Sequence, residues 1–310
     1  MPIVIVGNIT VGGTGKTPLV ISLVESLIER GLSPGVISRG YGGKAPSYPC
    51  SVEGHGPEEV GDEPFMIAER TGVPVVVDPD RVAAAQKLIA EYQVDVVVSD
   101  DGLQHYRLGR NIEIVVIDGQ RGLGNHQYLP VGPLREPETR LDSVDYIIIN
   151  CGVASCGNNA SQLQNGGDGN RAQGYDGLER FAEKVYRYTL TPDIFVRLDN
   201  SEEVTVDELA ARGGVCAMAG ISNPRRFYDT LVDLGVCVQK QLSFPDHHLY
   251  SAEDFRNLSD MRIVMTEKDA VKARNIAPED SWYLKVSVNV NGNLADDIVH
   301  NLQVHSGTRK

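Results

Sequence analysis

Residues 3–18 read Ile-Val-Ile-Val-Gly-Asn-Ile-Thr-Val-Gly-Gly-Thr-Gly-Lys-Thr-Pro, an apolar run that breaks into glycines and ends on Gly-Lys-Thr-Pro. A run of this kind forms a strand buried on both faces of a sheet. The glycines after it allow backbone conformations closed to other residues. Gly12, Gly13 and Gly15 can thus turn successive N–H groups toward a phosphate chain. Lys16 is placed to reach β- and γ-phosphates, and the Thr17 hydroxyl to reach Mg²⁺. Pro18 opens a helix whose positive N-terminal end points at the same anion. Thr10, Val11 and Thr14 complete the cradle. Thr10 stands where the strict motif has glycine, but the glycine cluster, the Gly-Lys-Thr ending and the strand–loop–helix context outweigh that departure. A mere glycine turn with a surface lysine does not account for this order. The stretch implies a nucleoside triphosphate site.

The pattern continues outward from there. Residues 19–30 have helical amphipathicity and stop at Gly31. Short apolar runs recur at 35–38, 73–77, 94–99, 112–117 and 144–149, with helical patterns between several of them, as at 64–70 and 81–92. Apolar strands alternating with helices predict an α/β fold of the P-loop type, a mostly parallel sheet with helices on both faces. Ligands of such sheets bind at the carboxyl ends of the strands, which singles out 38–43, 100–105 and 118–121.

Residues 154–177 turn to Gly, Asn, Gln and Ser, which predicts a flexible surface insertion. Beyond it, an apolar run at 215–219, a loop and a helix from about 225 to 234 repeat the opening theme without Gly-Lys-Thr. The expected organisation is a nucleotide-binding domain over 1–153, an insertion and linker over 154–190, and a smaller α/β domain over 191–310 that helps to form a cleft.

Composition bounds the partners. A net charge of −13 over 310 residues argues against a general nucleic-acid binder. An anionic substrate must be met by local arginines and lysines, not by a global positive field. The five cysteines are scattered and odd in number, which favours reduced thiols in a cytosolic compartment. No apolar stretch approaches the roughly 18 residues of a membrane-spanning helix.

Several charged groups follow strands. Asp100 and Asp101 end the run at 94–99, a place where acids of P-loop proteins commonly hold Mg²⁺. Asp62 and Glu63 precede Pro64 and on local grounds are ordinary capping residues at a helix start. The Asp246-His247-His248 segment could ligate metal, supply a base or be a polar loop. Thr266-Glu267-Lys268-Asp269 departs from the guanine-reading pattern, because Glu267 lies where that pattern has lysine, so GTP is not assigned.

Taken in order, seven segments resemble the tetraacyldisaccharide 4′-kinase family over nearly the whole chain. They are the glycine cradle at 7–18, Ser-Arg-Gly-Tyr-Gly at 38–42, Gly-Asp-Glu-Pro at 61–64 and Asp-Asp-Gly-Leu-Gln-His at 100–105. Gly-Pro-Leu-Arg-Glu at 132–136, Asp-His-His at 246–248 and Thr-Glu-Lys-Asp-Ala at 266–270 complete the set. The resemblance implies ATP and Mg²⁺ as cofactors and phosphorylation of a tetraacyldisaccharide 1-phosphate, a lipid A precursor, on its 4′-hydroxyl. It implies Asp62 as base paired with His247, and Asp100 and Asp101 at the metal with Glu63 as helper. Arg81 matches an arginine near the phosphates, and Arg39, Gln104 and His105 fall on the substrate side. It also implies work at the cytoplasmic face of the bacterial inner membrane. Family members usually begin with a hydrophobic anchoring helix that this sequence lacks ahead of Pro2, so peripheral attachment is expected. A rival reading is a nucleotide-switched regulatory NTPase of the deviant P-loop class, whose signature lysine would fall at Val11. A kinase for another small polar acceptor would share the chemistry.

Overall fold

The computed structural model describes residues 1–153 and 178–307. The insertion expected at 154–177 lies outside the described residues. The strands are β1 (Ile3–Gly7), β2 (Pro34–Ser38), β3 (Cys50–Ser51), β4 (Val75–Val77), β5 (Val96–Asp100), β6 (Ile112–Asp118) and β7 (Tyr146–Val153), followed by β8 (Val185–Arg197) and β9 (Glu203–Val204). Four more are β10 (Val215–Ala219), β11 (Val238–Ser243), β12 (Arg262–Thr266) and β13 (Ser281–Val290). The helices are α1 (Lys16–Glu29), α2 (Pro57–Val60), α3 (Asp62–Thr71), α4 (Arg81–Glu91), α5 (Arg140–Ser143), α6 (Val206–Ala211), α7 (Pro224–Asp233), α8 (Glu267–Ala273) and α9 (Leu294–Gly307).

The chain forms two compact units. The first holds Met1–Gly152, the stretch that ends at Thr189 and the stretch that begins at Val288. Its strands run in the order β3-β4-β2-β5-β1-β6-β7. All pairs from β4 through β7 are parallel, with Ile3 opposite Val97 and Val4 opposite Ile112, and only the two-residue edge strand β3 is antiparallel. Every residue of β2, β4, β5 and β6 is buried, as expected of strands covered on both faces by helices. A core of Ile5, Ile37, Val97, Val115, Ile147 and their neighbours fills one side of this sheet. The order places β1 between β5 and β6, so the cradle leaves the middle of the sheet beside Asp100 and Asp118.

The second unit includes Leu190–Ser287. There β10 pairs in parallel with β11 and β12, and β12 in parallel with β13. Helix α7 begins at the Asn223 cap and Pro224, and buries Phe227, Tyr228 and Leu231 in a cluster centred on Trp282 and Phe195. The strand–loop–helix theme read at 215–234 is this β10–α7 pair. The terminal segment, expected in the smaller domain, belongs to the first unit, where Arg30 of α1 bonds Asp296 of α9 at 2.7 Å. The chain passes between units inside β8 and β13, strands that the sequence pattern did not reveal.

Candidate active site

The cradle is Asn8–Gly15, between β1 and α1. Gly12 and Gly15 take φ values of 91° and 82°, the left-handed region that L side chains rarely adopt. Gly15 is also closed in space, because a Cβ added there would lie 2.3 Å from both Asn150 Nδ2 and the Tyr188 hydroxyl. Those two buried side chains grip the carbonyls of the loop. Asn150 Nδ2 donates to Thr14 O at 3.0 Å, and Tyr188 Oη donates to Gly15 O at 2.7 Å. With these carbonyl oxygens bound from below, the opposite face of the loop is left to its N–H groups. Arg121 holds the outer rim by donating to Gly13 O. Asn8 donates to Thr10 O at 2.7 Å, and Val11 N donates to Pro133 O at 2.8 Å.

Lys16 starts α1, and its Nζ lies 3.2 Å from both Asn8 Oδ1 and Asp101 Oδ1. Thr17 beside it is buried. Asp100 ends β5, and Asp101 follows in a left-handed conformation at φ 48°. This sharp turn separates the fates of the two carboxylates. Asp101 faces Lys16 and Arg135. Burial pushes its carboxyl up, but Lys16 and Arg135 outweigh that and hold it below the usual carboxylate range. Asp100 is 1% exposed, and neither of its carboxylate oxygens has a hydrogen-bond partner. Burial first, then the charges of Glu63 and Asp101, raise its pKa to about 7. A buried carboxylate in such surroundings is one that a cation would stabilise.

That observation tests the expected metal. Magnesium is commonly bound through one or two carboxylates together with substrate phosphates. The described residues contain no cluster of three or more His, Cys, Asp or Glu that could hold a metal alone. Asp100, with the charges of Glu63 and Asp101 raising its pKa, is the acid here whose surroundings suit a cation that arrives with a nucleotide.

Asp62 and Glu63 open α3 from the first unit. Asp62 is 5% exposed, and its Oδ1 accepts from Glu63 N at 2.9 Å. The cap position belongs to Gly61 at φ 94°, so Asp62 is the first residue of the helix and not its cap. Arg81, the first residue of α4, is 4% exposed and donates through Nη1 to Asp78 O at 2.8 Å. Burial lowers its pKa, against the raising influence of Asp100 and Asp101. His105 lies 3.5 Å from Asp80, and burial together with Arg81 lowers its pKa. Gln104 donates to Asn8 O at 3.0 Å and to Glu136. Arg39 is exposed just past the end of β2.

His247 belongs to the second unit, in a left-handed conformation at φ 60°. Lys268 Nζ lies 3.2 Å from Asp246 Oδ1 and 3.4 Å from His247 Nε2. The two late motifs, 246–248 and 266–270, therefore meet here. Asp269 is fully buried and accepts from Gly220 N at 3.0 Å and Thr266 Oγ1 at 2.6 Å, which makes it a pin between loops.

Five polar residues around the cradle escaped the sequence reading. Asn150 ends the apolar run at 144–149, and the strand-end rule could have found it. Arg121 lay in a stretch already singled out, and Arg135 and Glu136 in a quoted motif, but none had been given a role. Tyr188 carried no local signal.

A family model described as tetraacyldisaccharide-1-P 4′-kinase matches residues 1–303. The chain is 46% identical over 287 residues to the tetraacyldisaccharide 4′-kinase of Pseudomonas syringae pv. syringae, covering 92% of this chain and 78% of that one. Against the protein of the same name from Legionella pneumophila the identity is 42% over 292 residues, covering 94% and 80%. The crystal structure of LpxK from Aquifex aeolicus in complex with ATP matches with a TM-score of 0.75 at 26% identity, covering 97% of this chain and 88% of that one. With the glycine cradle, the paired acids and the late motifs all in order, this chain belongs to the tetraacyldisaccharide-1-P 4′-kinase family.

Proposed function

We propose that the chain transfers the γ-phosphoryl group of ATP to the 4′-hydroxyl of a tetraacyldisaccharide 1-phosphate, a lipid A precursor, while attached peripherally to the inner membrane. Family membership supports the reaction. The observation that carries the phosphate side is Lys16 at the mouth of a cradle whose Thr14 and Gly15 carbonyls are tied away by Asn150 and Tyr188. Residues 10–17 would bind the polyphosphate, Lys16 would balance the β- and γ-phosphates, and Arg81 would add a second cation. Thr17, Asp100, Asp101 and Glu63 would hold Mg²⁺, which when bound neutralises phosphate charge.

Phosphoryl transfer to a sugar is chiefly a matter of positioning and charge neutralisation, with a base needed for the hydroxyl proton. Asp62 is the proposed base: its carboxylate takes the 4′-hydroxyl proton as the oxygen attacks phosphorus. His247 is proposed to orient Asp62 and tune its proton affinity, as the family resemblance implies. Arg39, Gln104 and His105 are proposed to meet the disaccharide. Among the described residues no helix is long and apolar enough to cross a membrane.

Incubation with labelled ATP and the acceptor dispersed in detergent tests this reading. Label should appear in a product with one added phosphate, and only with acceptor present. ATP turnover that ignores the acceptor would favour a regulatory NTPase instead.

A further inference from the structure

Residues 127–134 form a tight turn that shows water an unusual run of apolar groups. Tyr128 is 52% exposed, Leu129 51% and Val131 75%, the last being the most exposed large apolar side chain among the described residues. A single exposed leucine needs no explanation, but three apolar side chains at the tip of one ordered turn do.

The turn is held from within. Leu129 N donates to Leu134 O at 3.0 Å, Val131 N to Tyr128 O at 3.0 Å, and Gly132 N to Tyr128 O at 2.9 Å. Position 130 is proline and has no N–H. From Leu129 to Gly132, then, no backbone donor still needs water. Asn125 Nδ2 caps the carbonyl of Val131 at 3.1 Å. Gly132 admits no side chain, since a Cβ there would lie 2.1 Å from Asn125 Oδ1. Such a tip loses less when it is dehydrated, because its backbone donors and the carbonyls of Tyr128 and Val131 are already paired within the turn.

The turn is also fixed to the phosphate cradle. Val11 N donates to Pro133 O at 2.8 Å and Arg135 N to Ile9 O at 2.7 Å, while Leu134 bridges Thr10. Arg135 continues inward to Asp101, 3.5 Å away.

We propose that the 128–131 tip is the part of this chain that enters the apolar boundary of a lipid bilayer. The inference rests on the reading of the acceptor as an acylated lipid. Two observations favour a bilayer as occupant. The tip presents hydrocarbon with its backbone donors already satisfied, which hydrocarbon surroundings demand and a polar protein surface does not. The chain's net charge of −13 opposes long-range electrostatic attraction to anionic lipid, which favours an apolar contact element over a charged one. Anchoring through the turn would hold the cradle at the depth of the lipid headgroups.

The test compares wild type with a Leu129→Ser/Val131→Ser double variant in sedimentation with vesicles of phosphatidylethanolamine and phosphatidylglycerol. Vesicle binding should fall about tenfold or more, the effect of removing two side chains from a partly apolar surrounding. Melting temperature, ATP affinity and turnover on detergent-dispersed acceptor should stay within about twofold of wild type. A Val131→Trp variant gives an independent readout against the single native Trp282, which is fully buried. Its added emission should shift to the blue on vesicles and be quenched by brominated acyl chains. Unchanged vesicle binding together with unshifted emission overturns the proposal. Loss of turnover on dispersed acceptor with vesicle binding intact also overturns it, and would assign the turn to the acceptor's own chains. Absence of wild-type phosphorylation in the dispersed assay would count against the kinase reading, separately from either result.

Discussion

The Lys16 ammonium lies 3.2 Å from the Asp101 carboxylate, while the neighbouring carboxylate of Asp100 is buried with no hydrogen-bond partner. Adjacent residues at the end of one strand thus have opposite electrostatic surroundings. Lys16 and Arg135 neutralise Asp101, so that acid does not repel a polyphosphate at the cradle. Asp100 is driven toward its neutral form by burial, Glu63 and Asp101, only partly offset by Lys16 and Arg81, and is suited to a divalent cation. The left-handed backbone at Asp101 makes this division possible.

Replacing Lys16 by alanine should lower phosphoryl transfer by about 10²-fold or more, since a charge aimed at the transferring group is lost. Rapid-quench measurement at saturating ATP checks this. Turnover near that of wild type would mean that the cradle's cation is a different residue.

Asp100 gives the account a pH signature. Its pKa is about 7 in the folded protein, well above an ordinary carboxylate. Its contribution to stability is therefore fully present below the unfolded pKa and is lost as pH rises through about 7. Without magnesium, wild type should lose melting temperature as pH rises from about 4 to about 7, and Asp100→Asn should lose less. Magnesium–nucleotide affinity of wild type should rise over the same interval, as the proton leaves. Thermal scans with chelator, repeated across pH for both proteins, report the first effect, and calorimetric titration the second. Identical pH slopes for the two proteins would remove Asp100 from this role.

Much of this site was legible because its signals are local. The glycine cradle, Lys16 and the strand-end acids each depend on a few adjacent residues, and the parallel sheet was visible in its repeated apolar runs. Tyr188 was not legible. It reaches Gly15 across 173 positions, from inside a long strand that follows the insertion, and nothing around it marks it as a partner of the cradle. The return of α9 to α1 is hidden for the same reason, since amphipathicity tells which face is buried but not against what. Asp62 shows the reverse difficulty: it looked like a cap by composition, but Gly61 occupies that position.

Gly15→Ala should abolish ATP binding and lower stability, because the added methyl meets Asn150 and Tyr188 at 2.3 Å in a left-handed backbone. Tyr188→Phe is the milder probe. It leaves the Gly15 carbonyl without its donor, a loss of about 1–3 kcal/mol for a buried acceptor. KM for ATP should rise more than kcat falls. An unchanged KM would mean that the Tyr188 hydroxyl does not help to hold the loop.

Asp62→Ala and His247→Ala should each reduce kcat strongly while ATP binding survives. If the two residues act as one unit, the double variant should be scarcely slower than the slower single variant. Losses that multiply would show that they act independently and would leave Asp62 with its place at the start of α3 alone.

The central claim is that this cradle serves phosphorylation of an acylated disaccharide. The most direct measurement follows the terminal phosphate of labelled ATP with and without tetraacyldisaccharide 1-phosphate in detergent, using wild type and Asp62→Ala side by side. The account predicts label in a bisphosphorylated lipid with wild type, little ATP loss without acceptor, and almost no labelled lipid with Asp62→Ala. Steady ATP hydrolysis by wild type that is unaffected by the acceptor, with no labelled lipid formed, would contradict it.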